Sequence, residues 1–192
     1  MFVVRNEVAS MNAKRLRSIL LLPLLFIAIC STGHAADLVL NNVPAKVFFS
    51  PNGGCTEAII DEINNAKKEI LVQAYSFTSA PIAKALLKAH KRGVRVQVIL
   101  DRSQRTARYS SASFFANSGI PTFIDAAHAI AHNKVMVIDG GTVVCGSFNF
   151  TRAGEEKNAE NLLILRSAEL ARLYKDNWNR HKEHSEVLAP RY

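Results

Sequence analysis

The chain has 192 residues, 48% of them apolar and 21% charged, with a formal net charge of +8. That length carries one domain with a real core, and the composition excludes a disordered or low-complexity chain. The positive balance suits a polyanionic partner, either nucleic acid or an anionic membrane surface.

The N-terminus reads as a targeting segment. Lys14, Arg15 and Arg17 precede an apolar run from Ile19 to Ile29, and Ser31, Thr32, Gly33, His34 and Ala35 follow. A basic region, a short apolar region and a small-residue cleavage site predict a signal peptide over residues 1–35, with Met11 at its natural start. The run is too short for a comfortable membrane span. The mature chain, residues 36–192, is therefore expected to be exported to the periplasm or beyond, without integral membrane association. Removing four basic residues (Arg5, Lys14, Arg15, Arg17) and one acidic residue (Glu7) lowers the charge from +8 to +5. Cys30 leaves with the signal. Cys55 and Cys145 sit among apolar residues and read as free buried thiols rather than as a disulfide. No C-x-x-C or His/Cys ligand spacing appears, so no metal and no other cofactor is expected.

The mature chain alternates strands and helices. Residues 47–50 predict a strand, 51–54 a turn, and 56–66 a helix through Ile59, Ile63 and Ala66. A β-rich run covers 70–75. Ser79 and Pro81 open a helix through Ile82, Leu86 and Leu87 that Gly93 closes. A strand at 94–100, a helix at 107–117 and a short strand at 121–124 follow. After a hairpin at 132–151 come a strand at 162–165 and a helix at 168–181, with Leu170, Leu173, Tyr174 and Trp178 on one face. This alternation predicts an α/β domain with a mixed, mainly parallel sheet flanked by helices on both faces.

The hairpin, HNKVMVIDGGTVVCGSFNFT, carries the chemistry. With Gly140-Gly141 as a two-residue loop, Asp139 faces Thr142, Lys134 faces Ser147 and His132 faces Asn149. His132, Lys134, Ser147 and Asn149 then share one face, with opposed Cβ atoms roughly 4.5–5.5 Å apart. A cation, two neutral donors and a histidine form a pocket for a tetrahedral anion, in which the donors stabilise charge on non-bridging oxygens. An unperturbed imidazole, largely neutral near pH 7, is a competent nucleophile towards phosphorus. The absence of paired carboxylates argues against a two-metal site. Asp139, at the far end of the hairpin, reads as a turn residue.

The spacing His132-x-Lys134, four residues, Asp139, six residues, Gly146-Ser147-x-Asn149 resembles the HKD motif of the phospholipase D superfamily. AYSFT at 74–78, NSGIP at 117–121 and GSFNFT at 146–151 resemble the small secreted single-motif bacterial endonucleases of that superfamily. The resemblance covers essentially the whole mature chain. It implies a sheet flanked by helices, attack by His132 to form a phosphohistidine, and phosphate oxygens held by Lys134 and Asn149 with Ser147 in support. It further implies a homodimer, because one chain supplies one motif and the second histidine is His132 of another copy. In this scheme no metal is needed. Glu160, in KNAEN at 157–161, resembles the family's acidic partner for the histidine, with Glu155 and Glu156 as rivals.

The expected substrate is DNA, with RNA as a possible second; phospholipid head groups are the alternative. Arg102 and Arg105, with Arg108, are spaced to contact phosphates. Ser76 ends a strand at the same mouth, and His128 is expected to serve only the rim.

Overall fold

The structure, a computed structural model, describes residues 35–190. The expected signal peptide, apart from Ala35, lies outside the described residues. In chain order the elements are β1 (Ala45–Ser50), α1 (Cys55–Asn65), β2 (Glu69–Ala74), α2 (Ala80–Lys91) and β3 (Arg95–Asp101). A 3-10 turn (Arg102–Arg105), α3 (Ala112–Asn117), β4 (Thr122–Asp125), β5 (Lys134–Ile138) and β6 (Thr142–Gly146) come next. The chain continues with α4 (Arg152–Glu156), β7 (Glu160–Arg166), α5 (Ala168–Glu183) and β8 (Glu186–Val187). The helix expected at 107–117 is thus confined to its C-terminal half, where the backbone N–H of Ser111 is tied to Phe77 O at 2.9 Å.

The strands form one sheet in the order β1-β7-β6-β5-β2-β3-β4-β8. Of the strand pairings among the described residues, β2–β3 and β3–β4 are parallel and the rest antiparallel, including β5 on β2 with Ile70 opposite Ile138. The expectation of a mainly parallel sheet is therefore corrected to a mainly antiparallel one. The cause is burial on both faces. Strands covered on both sides read as continuous apolar runs, the pattern ordinarily associated with parallel strands. Here β5 and β6 have that pattern but are joined by a hairpin.

Helices do cover both faces. On one, Ile59 and Ile63 of α1, Leu86 of α2 and Phe115 of α3 pack on Val72, Val98, Met136, Val144 and Ile164. On the other, Ala171 and Trp178 of α5 pack on Leu71, Ile99, Val137 and Val143. The indole N–H of Trp178 donates to Val72 O at 2.9 Å, so its one polar atom is satisfied inside the core. Ser167 starts α5 by accepting from Leu170 N, and Arg180 and Lys182 occupy its last turn, where cations complement the helix dipole. Cys55 and Cys145 are both free thiols. Among the described residues no helix is long and apolar enough to cross a membrane.

The hairpin turn differs from the count made on sequence. Ile138 pairs with Thr142, so three residues, not two, form the loop. Gly141 N donates to Ile138 O across a turn whose central residues are Asp139 (φ 52°) and Gly140 (φ 65°). Two positive φ values are what a primed hairpin turn requires, and aspartate tolerates that region better than most side chains. Gly141 becomes an extra residue that shifts the register by one. A second irregularity follows at the other end of β6. Ser147 N and Phe148 N both donate to Asn161 O, at 3.1 and 3.2 Å: two residues opposite one, a β-bulge. The β5–β6 ladder itself ends at Met136 opposite Val144. The expected ladder pairs Lys134–Ser147 and His132–Asn149 therefore do not exist as ladder pairs.

Candidate active site

The registers bring five strand ends to one edge of the sheet. Ala74 at the end of β2 pairs with Lys134 at the start of β5, Gly146 at the end of β6 with Leu162 of β7, and Ser50 at the end of β1 with Glu160 at the start of β7. Beyond the strands, a bridge between Phe77 and Phe150 joins the exits of β2 and β6. The C-terminal ends of the parallel strands β2, β3 and β4 open onto this same edge, where α/β sheets place their ligands.

His132 lies two residues before β5 and is exposed. Its ring rests on Tyr75, with centroids 4.5 Å apart and planes inclined by 55°. Tyr75 N donates to Asn133 O at 2.7 Å, which prolongs the β2–β5 pairing past the last ladder residue and holds the two rings together. Tyr75 was not singled out on sequence. Its signal was an aromatic at the carboxyl end of an otherwise buried strand.

Lys134 is only 7% exposed. Its ammonium donates to the carbonyl oxygen of His132 at 3.0 Å and lies 5.1 Å from the Tyr75 ring centroid. Burial pulls its pKa below the usual lysine value, and the Glu160 carboxylate opposes that shift. An ammonium carries three donors. Among the described residues this one has a single hydrogen bond, an expensive state for a buried cation unless an anion completes it.

Asn149 follows the bulge, and its side-chain Oδ1 is buried without a partner. Amide oxygen and nitrogen are interchangeable by a flip, so this end of the side chain can equally present a donor. Ser147 Oγ accepts from Asn161 N at 3.0 Å and from Asn161 Nδ2 at 3.3 Å, which leaves its own hydrogen free to donate. Gly146, with φ 147°, sits so close to β7 that an added Cβ would lie 2.3 Å from Asn161 O. Only glycine lets the strand reach its bulge there.

The three glutamates separate clearly. Glu160 N donates to Ser50 Oγ at 3.2 Å, its Oε1 accepts from Asn158 Nδ2 at 3.1 Å, and its charge acts on Lys134. Glu155 instead caps α1, accepting from Gly54 N at 3.0 Å and Thr56 N at 2.7 Å. Glu156 pairs with Arg152 on the surface.

Asp139 is at the opposite end of β5 from His132. Its carboxylate accepts from Lys67 N, Lys68 N and Glu69 N at 2.8, 2.7 and 2.9 Å. Burial works against its ionisation, but these backbone donors outweigh it and hold the carboxyl below its ordinary range. It clamps the turn before β2 to the hairpin turn. Arg102 is exposed, whereas Arg105 is engaged by Glu186. Ser76 is half-buried beside Phe77, whose N–H is held by Gln104 Oε1 at 3.2 Å. A shallow cavity of about 250 Å³ opens at Thr78, lined also by Lys84, Tyr109 and Phe114, with Tyr109 74% exposed. Asp101, also unflagged on sequence, accepts from Ala131 N at 2.8 Å and steadies the segment leading into His132. His128 is not a simple rim residue. Its Nδ1 meets Asp125, together with His181 and His184.

The profile of the family described as "Cardiolipin synthase, PLD-like domain" matches residues 59–182. Phospholipase D of Rickettsia conorii is 42% identical over 143 residues, 74% of this chain and 72% of that protein. Among solved structures, Nuc from Salmonella typhimurium, a phospholipase D family member, aligns with a TM-score of 0.74 at 37% identity, covering 77% of this chain and 99% of that one. NucT from Helicobacter pylori aligns with a TM-score of 0.70 at 24% identity over 76% of this chain and 99% of that one, a likeness of fold.

Proposed function

This chain belongs to the phospholipase D-like domain family, and on that premise we propose that it is a metal-independent endonuclease whose complete site needs two copies of the chain. The observation that carries the reading is Lys134: a nearly buried ammonium with donors to spare, bonded to the carbonyl of the exposed histidine two residues before it. That arrangement fits a phosphodiester, whose non-bridging oxygens supply the missing acceptors. Asn149 offers a second buried polar group to the same anion, and the Ser147 hydroxyl a third.

In the proposed reaction, a ring nitrogen of His132 attacks phosphorus. An N–P bond forms, the bond from phosphorus to the leaving oxygen breaks, and that oxygen takes a proton from His132 of the second copy. Water then attacks phosphorus, passing its proton to the second histidine, and the N–P bond breaks to release the phosphomonoester. Lys134 and Asn149 stabilise the charge on the non-bridging oxygens in both steps. Glu160 keeps the lysine charged. Among the described residues no carboxylate pair at His132 calls for a magnesium ion.

A polynucleotide is the favoured substrate because the chain is basic, Arg102 is exposed, and the exposed ring of Tyr109, with the Arg108 guanidinium 5.4 Å from its centroid, is suited to contacting a base and its phosphate. The 42% identity to a protein named Phospholipase D favours a second reading, hydrolysis of phospholipid head groups. A side-by-side assay on plasmid DNA, RNA and phospholipid vesicles in excess EDTA decides between them. DNA nicking is the expected outcome. Turnover of vesicles alone refutes the nuclease reading, and strict dependence on added magnesium refutes the mechanism. Sedimentation is expected to report a dimer; a fully active monomer removes the shared site.

A further inference from the structure

A second cluster of ionisable side chains lies at the end of β4. Asp125, its last residue, has a fully buried side chain, and three imidazoles converge on its Oδ2: His181 Nδ1 at 2.7 Å, His128 Nδ1 at 3.0 Å and His184 Nε2 at 3.4 Å. The three ring centroids are 4.8, 5.1 and 5.3 Å apart. A carboxylate orienting one histidine is ordinary. Three ring nitrogens on one oxygen exceed what its lone pairs accept in good geometry, and holding three imidazoles this close is electrostatically costly when they are protonated. A cation among these four atoms relieves both, because deprotonated ring nitrogens and the carboxylate oxygen can all turn their lone pairs to it.

We propose that Asp125, His128, His181 and His184 form a structural site for one zinc-class divalent ion. The four ligand atoms all lie within 4.8 Å of one another. Tetrahedral zinc, with metal–ligand bonds of about 2.0–2.1 Å, spaces its ligands roughly 3.3 Å apart, so small side-chain adjustments close the shell. Three neutral imidazoles and one carboxylate select zinc, cobalt or a similar ion over calcium or magnesium. Ala127 N donates to Asp125 Oδ1 at 3.1 Å and fixes the carboxylate from outside the ligand set. The side chains of His128 and His184 are 41% and 36% exposed, which gives an ion a way in. Four protein ligands leave no open position, so the role is structural.

The site ties three pieces together: the end of β4, the 126–133 segment, and the C-terminal end of α5. That segment ends in His132. Asp101 already holds it at Ala131, and the metal adds a second tether at His128. The inference does not depend on the reaction assigned to His132.

The test uses full-length mature protein, stripped with chelator and titrated with cobalt(II), then with zinc(II). The expected result is one equivalent per chain, the visible bands of tetrahedral cobalt, displacement of cobalt by zinc, and a rise in Tm of roughly 5–10 °C at a zinc concentration one hundred times Kd. Magnesium should give no shift. His181→Ala should abolish the bands and the shift, and so should His128→Gln, a milder change at a more exposed side chain. Weak octahedral cobalt bands, a zinc-insensitive Tm, or binding unchanged in both variants overturns the site.

Discussion

The ammonium of Lys134 is hydrogen-bonded to the backbone carbonyl of His132, so the candidate nucleophile and the cation that would hold its target phosphate are fixed to each other within one short segment. Lys134→Met should lower turnover about 10²–10³-fold, the usual loss when a charge-stabilising donor is removed. Stability should hold or rise, because a buried ammonium is replaced by an apolar chain of similar length. Steady-state rates on a DNA substrate and urea midpoints check both halves. A large loss of stability with little loss of rate makes Lys134 a structural residue.

In the proposed reaction the same lysine should set an alkaline limit. Its charged form is required, and burial lowers its pKa, so the alkaline limb of kcat/KM should fall below the pH of an ordinary lysine, about 10.4. Removing the opposing carboxylate in Glu160→Gln should move that limb to still lower pH. The stability linkage has its own sign: the unfolded chain binds this proton more tightly, so folding gains stability as pH rises between the folded and unfolded values. A limb that Glu160→Gln leaves in place removes Glu160 from the proposal.

Asp139→Asn isolates the carboxylate, since asparagine tolerates the same positive φ. Three backbone donors lose a charged acceptor, and with exposure discounted the cost should be about 1–2 kcal/mol at pH 7. The depressed carboxyl pKa means this contribution is complete above the unfolded value of about 3.9 and is lost as pH falls through the folded one. Wild type and variant should therefore converge in acid. Denaturant titrations at neutral and acidic pH read the convergence, while kcat should stay unchanged.

Glu155→Gln and Glu160→Gln should behave as opposites. The first weakens a carboxylate cap on α1 and should cost about 1 kcal/mol in stability with rate preserved. The second should act on rate and its pH profile. Interchanged phenotypes would reassign the acidic partner of the site.

Much of this was legible in sequence because periodicity and punctuation agreed: Ser79-Pro81 and Gly93 bracket α2, and Leu170, Tyr174 and Trp178 mark the buried side of α5. What escaped has physical causes. Asp139 adopts a conformation usually left to glycine because three amides hold its carboxylate, and that moved the turn by one residue. The bulge at Ser147 and Phe148 depends on β7 pressing against Gly146, a neighbour that a hairpin count cannot see. Strand direction was misread because Met136, Val137 and Val144 are buried alike on both faces. Tyr75 looked like the end of a strand, and Asp125, His128, His181 and His184 are joined only by tertiary contact. The motif residues themselves stood out because strands cannot bury a lysine without a reason.

The first strand and the seventh are neighbours: among the described residues β1 pairs only with β7, and Ser50 at the end of one meets Glu160 at the start of the other. A chain emerging from its N-terminus therefore carries β1 unpaired until residue 166 is available, and no N-terminal fragment can close the edge where His132 sits. Ring closure over that length is slow, since its entropy must be met before the long-range pairs form. The edge that carries the candidate site is thus not assembled until β7 has been made.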